Sequence, residues 1–309
     1  MDKRIIITGG SGFLGTRLIG QLESLGVSPS NLRVATSRQT DLRRMDNCLE
    51  VTKNVDLVIH LAAKVGGIGF NKAYPAMLFY DNAVMGIQLL EAARANDVAK
   101  VVVVGTVCAY PKYSPIPFKE ENLWDGYPEE TNAPYGLAKK MLLVQCQAYR
   151  SQYGSNFIYL IPVNLYGPGD NFDPLSSHVI PALIRRMVDA KRANKPSIAL
   201  WGSGNASREF LYVDDAAQGI IKAAEKYNES DPVNLGTGEE ITIKALAGAI
   251  SKLTGYRGSI TWDLSKPDGQ PRRSLDVSKA KKYFGFKAKT PLTKGLEETI
   301  KWFVHNYPQ

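Results

Sequence analysis

The hydrophobic and polar positions alternate between short aliphatic runs and longer stretches with helical spacing. Runs typical of strands are residues 4–8, 32–35, 55–61, 100–104 and 156–162. Helical spacing occupies residues 15–25, 82–96 and 135–153. Residues 100–104 are nearly all aliphatic, as in a parallel strand that is buried on both faces. Because each connection is long enough for a helix, the pattern predicts an α/β fold with a Rossmann-type doubly wound parallel sheet.

The pattern changes after Pro162, where residues 167–170 and 173–177 are rich in turn formers. A smaller C-terminal α/β substrate-binding lobe is expected to begin there. Residues 210–213 and 232–235 are predicted as strands that return to the first lobe. The sequence thus predicts a first domain at 1–165, joined by 210–238, and an interleaved second domain at 166–309.

Composition limits the classes of protein that fit. The 309 residues are 44% hydrophobic and 22% charged, which suffices for one large core or two smaller ones. No apolar run approaches the roughly 18 to 20 residues that span a bilayer, and no basic-then-apolar leader follows Met1. We therefore expect a cytoplasmic protein with no membrane partner. The three cysteines have no CxxC spacing, so neither a disulfide framework nor a metal site is expected.

The formal net charge is +8, but lysine and arginine are scattered and no nucleic-acid recognition motif is present. No nucleic-acid partner is expected. An ordinary solvated surface explains the charge, and a positive cleft for a phosphate-rich small ligand is the alternative.

A glycine-rich loop lies between the first predicted strand and helix. Gly9, Gly12 and Gly15 have GxxGxxG spacing and enclose Phe13 and Leu14. Glycine permits a tight turn and close approach of the backbone to a pyrophosphate, which the N–H groups at the helix N-terminus then bind. The alternative is a plain turn, but the position at a strand–helix junction favours dinucleotide binding.

The end of the second predicted strand indicates which dinucleotide binds. An acidic residue there would hold the ribose 2′-hydroxyl of NAD, but residues 34–39 contain no carboxylate. Ser37 and Arg38 are suited to a 2′-phosphate, which predicts NADP(H). A solvent-facing Arg38 is the alternative.

A second motif places Tyr135 and Lys139 four residues apart on one face of a predicted helix. The ammonium is expected to lower the tyrosine pKa toward the working pH, as general acid–base transfer requires. Such spacing also arises by chance, but Thr106 ends the preceding buried strand, where its hydroxyl can hold a carbonyl or alcohol. This order of motifs resembles the extended short-chain dehydrogenase/reductase family.

Further segments narrow the resemblance to the GDP-L-fucose synthases, a family that lies within the extended type. These segments are residues 60–68, 108–112, 162–168, 170–172, 177–181, 201–204, 208–210, 266–269 and 271–272. The resemblance implies that residues 1–165 form an NADP-binding domain and residues 166–309 a GDP-sugar-binding domain. It also implies a homodimer through helices of the first lobe.

The implied reaction is epimerisation of a GDP-4-keto-6-deoxymannose at carbons 3 and 5, followed by reduction of the 4-ketone with NADPH. By resemblance, Cys108 is the base and His178 the acid of the epimerisation. Thr106 stands where many relatives have serine, and both supply an alcohol. From the residues alone, Cys108 could instead be a small packing residue and His178 a cap of a local turn. Another GDP sugar, such as a 4-keto heptose or a 3,6-dideoxy sugar, and a non-catalytic dinucleotide sensor stay open as alternatives.

The resemblance also assigns binding roles. Cofactor contacts beyond the glycine loop are expected from Ser37, Arg38, Asp41, Leu61, Ala62, Ala63, Tyr135, Lys139, Pro162, Asn164, Leu165 and His178. Substrate contacts are expected from Cys108, Asn164, Arg186, Trp201, Arg208 and Lys266. A buried core tryptophan is the alternative for Trp201.

Overall fold

The computed structural model describes residues 3–266 and 268–308, so Met1 and Pro267, which the sequence analysis used, lie outside the described residues. The strands are β1 (Ile5–Thr8), β2 (Leu32–Ala35), β3 (Leu57–His60), β4 (Lys100–Val104), β5 (Phe157–Pro162), β6 (Asn164–Tyr166), β7 (Ser197–Trp201), β8 (Ser207–Tyr212), β9 (Val233–Leu235), β10 (Glu240–Thr242) and β11 (Ser259–Asp263). The helices are α1 (Phe13–Ser24), α2 (Met45–Thr52), α3 (Ile68–Ala73), α4 (Pro75–Ala95), α5 (Ala133–Tyr153), α6 (Val179–Arg192), α7 (Val213–Lys226), α8 (Ile243–Thr254), α9 (Ser278–Phe284) and α10 (Leu292–Asn306).

Six parallel strands form the main sheet in the order β2-β1-β3-β4-β5-β9. Every residue of β1, β3, β4 and β5 is buried, as expected when helices cover both faces. Helices α1, α7 and α9 form one packed group, and α2, α4 and α5 form another. The predicted doubly wound parallel sheet is therefore confirmed.

One of the two predicted returning strands does not join this sheet. Strand β9 pairs with β5 at its edge, but β8 lies between β6 and β10 in a separate three-stranded sheet. The return of residues 210–213 to the first lobe stays a prediction, since a strand can pack on a lobe without pairing with its sheet, and Leu211 of β8 does pack in the first core. The helix that follows β8 does pack on the first lobe, through its contacts with α1 and β4.

Two hydrophobic cores divide the molecule, and the chain crosses between them several times. Along β8, Phe210 and Tyr212 belong to the second core, whereas Leu211 belongs to the first. Leu275 and Phe284 also pack into the first core, so the chain returns to the first lobe once more than the sequence predicted. The partition into two interleaved functional domains itself stays a prediction.

A cleft of about 1320 Å³ opens at the carboxyl ends of the parallel strands. The residues that follow β1, β2, β3 and β4 all line it, which is the usual position of a ligand in this class of sheet. Its other wall comes from the second core, through residues of α6, β7 and β8. Among the described residues, none of the helices has the length and apolar character needed to cross a membrane.

Candidate active site

The glycine loop connects β1 to α1 through three close backbone approaches. Gly9 has φ +72°, and a Cβ there would lie 2.8 Å from the amide nitrogen of Ala62. A Cβ on Gly15 would lie 2.4 Å from the Gly9 carbonyl oxygen, and Gly12 N–H donates to that same oxygen at 3.0 Å. No side chain caps α1, and Gly12, Phe13 and Leu14 at its N-terminus line the cleft. This loop fits a pyrophosphate, because both the backbone space and the donors are present.

The adenosine end of the cleft lies where β2 ends. Ser37 and Asp41 line the cleft, but Arg38 is exposed and is not part of its wall. The structure instead brings Arg43 to the cleft, where it donates to Asp41 at 2.9 Å and to Asp81 at 3.1 Å. A contact from Arg38 to the cofactor thus stays a prediction, and Arg43 is a candidate that the sequence analysis missed.

The middle of the cofactor region is formed by turns that follow β3 and β5. Leu61, Ala62 and Ala63 line the cleft after β3, and Pro162, Asn164 and Leu165 line it from β5 and β6. Asn164 is held in place because its amide donates to the Glu209 carbonyl oxygen at 2.9 Å.

Tyr135 and Lys139 are both buried on α5, beside the turn that follows β4. A Cβ on Gly136 would lie 2.3 Å from the Cys108 carbonyl oxygen, so a glycine is what allows α5 to pack this closely. On the other side, the Thr106 hydroxyl accepts from the Cys108 N–H at 3.2 Å. Thr106, Cys108, Tyr135 and Lys139 all line the cleft.

The expectation that Lys139 lowers the pKa of Tyr135 was wrong for this structure. Burial raises the pKa of Tyr135, ionised Cys108 acts in the same direction, and a hydrogen bond with Thr106 opposes them. Burial also lowers the pKa of Lys139 to about 8, so the amine is still mostly protonated at neutral pH. Tyr135 is therefore protonated at neutral pH, the form that a proton donor needs.

Cys108 is half-buried in the cleft wall and has a cationic neighbour. Arg273 Nη1 lies 3.8 Å from Cys108 Sγ and 3.4 Å from Asn164 Oδ1. The Arg273 side chain is itself buried, and its Nε donates to Gln270 Oε1 at 3.1 Å. Arg273 was not predicted as a site residue, because nothing in the sequence distinguishes it from Arg272, which is exposed and pairs with Glu240.

His178 precedes α6 and lines the cleft. Its side chain makes no capping hydrogen bond, so the structure gives no support to a capping role. The residue is solvent-accessible through the cleft opening, yet protein surrounds it closely on the other sides. This partial desolvation, together with the charge of Arg273, lowers the pKa of His178.

The far end of the cleft carries the expected substrate residues. Arg186, Trp201 and Arg208 line it, and Trp201 is 58% exposed, which excludes a core role. Burial lowers the pKa of Arg208 to about 10, and the charge of Arg273 acts in the same direction. Lys266 does not line the cleft, but its Nζ lies 5.8 Å from the centroid of the Trp201 ring. A substrate contact from Lys266 stays a prediction.

Two further polar groups face the cleft without having been expected. Asn71 donates to Asn132 Oδ1 at 3.0 Å, and its own Oδ1 is buried without a partner among the described residues. Asp170 accepts from the Asn171 N–H at 2.7 Å through Oδ1, while its Oδ2 is likewise unpartnered there. Burial raises the pKa of Asp170 to about 7. The described residues contain no cluster of His, Cys, Asp and Glu suited to a metal ion.

Known proteins resemble this arrangement over nearly the whole chain. Residues 5–236 match the NAD dependent epimerase/dehydratase family. A probable GDP-L-fucose synthase 1 of Oryza sativa subsp. japonica is 41% identical, over 98% of this chain and 92% of the relative. A GDP-L-fucose synthase of Escherichia coli K12 is 40% identical, over 98% of this chain and 97% of the relative. A solved GDP-mannoheptose C4 reductase from Campylobacter jejuni, with NADP bound, superposes with a TM-score of 0.89 at 29% identity over 98% of both chains. The chain therefore belongs to the NAD dependent epimerase/dehydratase family, among the GDP-L-fucose synthases.

Proposed function

We propose that this enzyme epimerises carbons 3 and 5 of GDP-4-keto-6-deoxy-D-mannose and then reduces the 4-ketone with NADPH, giving GDP-L-fucose. One observation carries the proposal: Cys108 and His178 line the same cleft as Thr106, Tyr135 and Lys139. Ketone reduction uses the last three groups. A thiol and an imidazole in the same cleft supply the base and the acid that inversion of a carbon centre requires.

The reduction step assigns a role to each of three side chains. NADPH, when bound along the glycine loop, supplies the hydride for carbon 4. Tyr135 donates its phenolic proton to the developing alkoxide, because its pKa is raised and the phenol is protonated at neutral pH. Thr106 holds the ketone oxygen with its hydroxyl, and Lys139 orients the cofactor ribose.

The epimerisation step uses the acidity of the two carbons that flank the ketone. Loss of a proton from carbon 3 or carbon 5 gives an enolate, which the hydroxyl groups of Tyr135 and Thr106 stabilise. Cys108 removes the proton from one face, and His178 returns a proton to the other. The Arg273 guanidinium lies beside Cys108 Sγ and is close enough to hold the thiol group in place for this role.

Binding of the GDP portion falls to the far end of the cleft. Arg186 and Arg208 are suited to the pyrophosphate, because guanidinium groups pair with phosphate oxygens in a bidentate geometry. The exposed face of Trp201 is suited to stacking on the base or the sugar. Lys266 lies above the same ring and adds positive charge.

The decisive experiment incubates the unmutated protein with NADPH and GDP-4-keto-6-deoxy-D-mannose in deuterated water. We expect NADPH oxidation and a GDP-L-fucose product that carries solvent deuterium at carbons 3 and 5, as read by NMR. Reduction without deuterium would show a reductase alone, and no NADPH oxidation with any keto sugar would favour a dinucleotide sensor. A panel of GDP-4-keto heptoses and dideoxy sugars tests the competing substrates, which the 40–41% identity to fucose synthases disfavours.

We also propose that the enzyme works as a homodimer in the cytoplasm. Exposed apolar side chains on α4 and α5, among them Tyr80, Ile87 and Val144, support an interface between two copies. The absence of nucleic-acid and membrane partners stays a prediction from the sequence.

A further inference from the structure

The segment that follows β3 makes a close backbone contact with the loop that carries His178 at Gly67. Gly67 N–H donates to the Ser176 carbonyl oxygen at 2.9 Å. A Cβ on Gly67 would lie only 2.5 Å from the carbonyl oxygen of Ser177, the residue directly before His178. The two backbones therefore approach as closely as a glycine permits.

The loop before His178 has little freedom to move away from such a contact. Ser177 N–H donates to the Asp173 carbonyl oxygen at 2.9 Å, and Ser176 N–H donates to the same oxygen at 3.3 Å. The Asn171 amide donates to Ser176 Oγ at 2.9 Å. A side chain on Gly67 would thus clash with a loop that these hydrogen bonds hold in place, and the resulting shift of the Ser177 backbone would displace His178.

The backbone of Gly67 itself does not require glycine. Its φ of −69° and ψ of 176° are extended values that any residue adopts. Steric contact with Ser177 is therefore the main obstacle to a side chain, which makes an alanine substitution a specific probe of that contact.

The same short helix also contacts the element that carries Tyr135. Gly67 precedes α3, and Asn71 on α3 donates to Asn132, the residue directly before α5. One helical turn thus lies against both the His178 loop and the start of the Tyr135 helix. Gly67 itself makes the contacts with Ser176 and Ser177, whereas the contact with Asn132 is made one turn later by Asn71.

We propose that Gly67 is a positioning residue. Because it has no side chain, the backbone of Ser176 and Ser177 packs directly against the start of α3, and this contact positions His178 relative to Cys108 in the cleft. The inference rests on the proposed role of His178 as the acid of epimerisation. Proton return needs the imidazole within hydrogen-bond reach of the carbon, and a displacement of about 1 Å can cost on the order of a hundredfold in rate. Ketone reduction depends on Tyr135 and Thr106, neither of which touches Gly67.

The test compares Gly67→Ala with Gly69→Ala in the deuterated-water assay. At Gly69 the added Cβ would meet nothing closer than the Leu175 carbonyl oxygen at 3.9 Å, so this variant matches the chemical change without the clash. We expect Gly67→Ala to lower solvent deuterium per NADPH oxidised by about tenfold to a hundredfold, with an unchanged KM for NADPH. Gly69→Ala should behave like the unmutated protein.

A second substitution tests whether the clash is the cause. In Gly67→Ala/Ser177→Gly, the freed backbone at 177 can rotate its carbonyl away, and deuterium incorporation should partly recover. Should Gly67→Ala fail to fold, Ser176→Ala provides the test instead. It removes only the hydrogen bond from the Asn171 amide to Ser176 Oγ, and it should lower the ratio of solvent deuterium to NADPH oxidised to a smaller extent.

The outcomes separate the two proposals. If the unmutated protein incorporates no deuterium, the epimerase function itself is wrong. If the unmutated protein does incorporate deuterium but Gly67→Ala behaves like Gly69→Ala, the positioning role of Gly67 is overturned. If Gly67→Ala does not fold, the same conclusion follows when Ser176→Ala leaves the ratio of solvent deuterium to NADPH oxidised unchanged.

Discussion

At the scale of single residues, burial governs the ionisation of Tyr135 more strongly than the lysine one turn away does. Since the phenol is protonated at neutral pH, Tyr135→Phe removes the proton donor of the reduction, together with one of the two hydroxyl groups assigned to the enolate. We expect ketone reduction to fall by about two or more orders of magnitude, the usual scale for a lost general acid. Stopped-flow oxidation of NADPH measures the rate, and NADPH fluorescence provides the control that the cofactor still binds. Near-normal turnover would assign the donor role to another group.

Cys108 and Tyr135 share a wall of the cleft but are assigned to different steps. A thiol forms an anion near neutral pH far more readily than an alcohol, so Cys108→Ser should slow proton removal severely. Hydride transfer needs no cysteine, and the variant should still reduce the ketone to an unepimerised product.

His178→Asn should also spare reduction and release some sugar inverted at one carbon. NMR of products formed in deuterated water checks both, and full labelling by Cys108→Ser would remove the cysteine from the mechanism.

The pH dependence of stability tests whether the Asp170 carboxyl is desolvated in the folded protein. The pKa of Asp170 in the folded protein is about 7, above its ordinary value of 3.8. Between these two pH values the folded state binds more protons than the unfolded state, so the free energy of unfolding falls as the pH rises from about 4 to about 7. Asp170→Asn should therefore raise the free energy of unfolding at about pH 8 more than at about pH 4. Denaturant titrations at the two pH values measure the difference, in which any constant cost of the amide cancels. An equal effect at both would show that the carboxyl is not desolvated in the folded protein.

At the scale of elements, we expect the end of β2 to set the cofactor preference. Residues 34–39 contain no carboxylate, and Arg43, not Arg38, lines the cleft there. Arg43→Ala should raise the KM for NADPH several-fold and leave that for NADH nearly unchanged, because only NADPH has a 2′-phosphate. Arg44→Ala is the matched control, since Arg44 is exposed and lies 4.0 Å from Asp46. Equal weakening of both cofactors by Arg43→Ala would mean that the residue only supports the fold through Asp41 and Asp81.

Several elements were predicted to within two residues at their bounds. The bounds of β2 and β4 agree with the predicted 32–35 and 100–104, and α5 begins two residues before the predicted 135. Helix α4 begins at Pro75, not near residue 82, because its first turns carry exposed Phe79 and Tyr80, which break the apolar periodicity. Periodicity therefore misses helical turns that expose large apolar residues.

The candidate site was predictable only where a motif fixes the residue. The glycine loop, Tyr135, Lys139 and Trp201 follow from spacing or from resemblance, and all line the cleft. Arg273 and Asn71 reach the cleft only through tertiary contacts, which local sequence does not encode. The ionisation of Tyr135 also depends on burial in the assembled fold, and for this reason the expected direction of its pKa shift was wrong.

At the scale of the whole molecule, the cleft exists because the two cores share strands and helices. Strand β8 presents alternate residues to the two cores, and α7, which follows it directly, packs on α1 of the first lobe. The Arg208 side chain, on β8, and Asn164, on β6, are thereby held by the same small sheet at the base of the cleft. A sequence pattern gives the period of each strand but not the sheet it joins, which explains why the separate sheet of β8 was not predicted.

The exposed faces of α4 and α5 lead to a last prediction, on assembly. Tyr80 and Ile87 are seven residues apart on α4, so they share a face, and Val144 is exposed on the neighbouring α5. Two copies packed through these helices would cover apolar side chains that a monomer leaves in water. Ile87→Glu should therefore convert the dimer to a monomer, because each interface would bury two like charges without partners. Light scattering after size exclusion measures the mass, and Leu264→Glu, at a leucine that is 75% exposed and lies on neither helix, is the control that should stay dimeric. A dimer that survives Ile87→Glu would place the interface elsewhere, and an unmutated protein that runs as a monomer would contradict the homodimer itself.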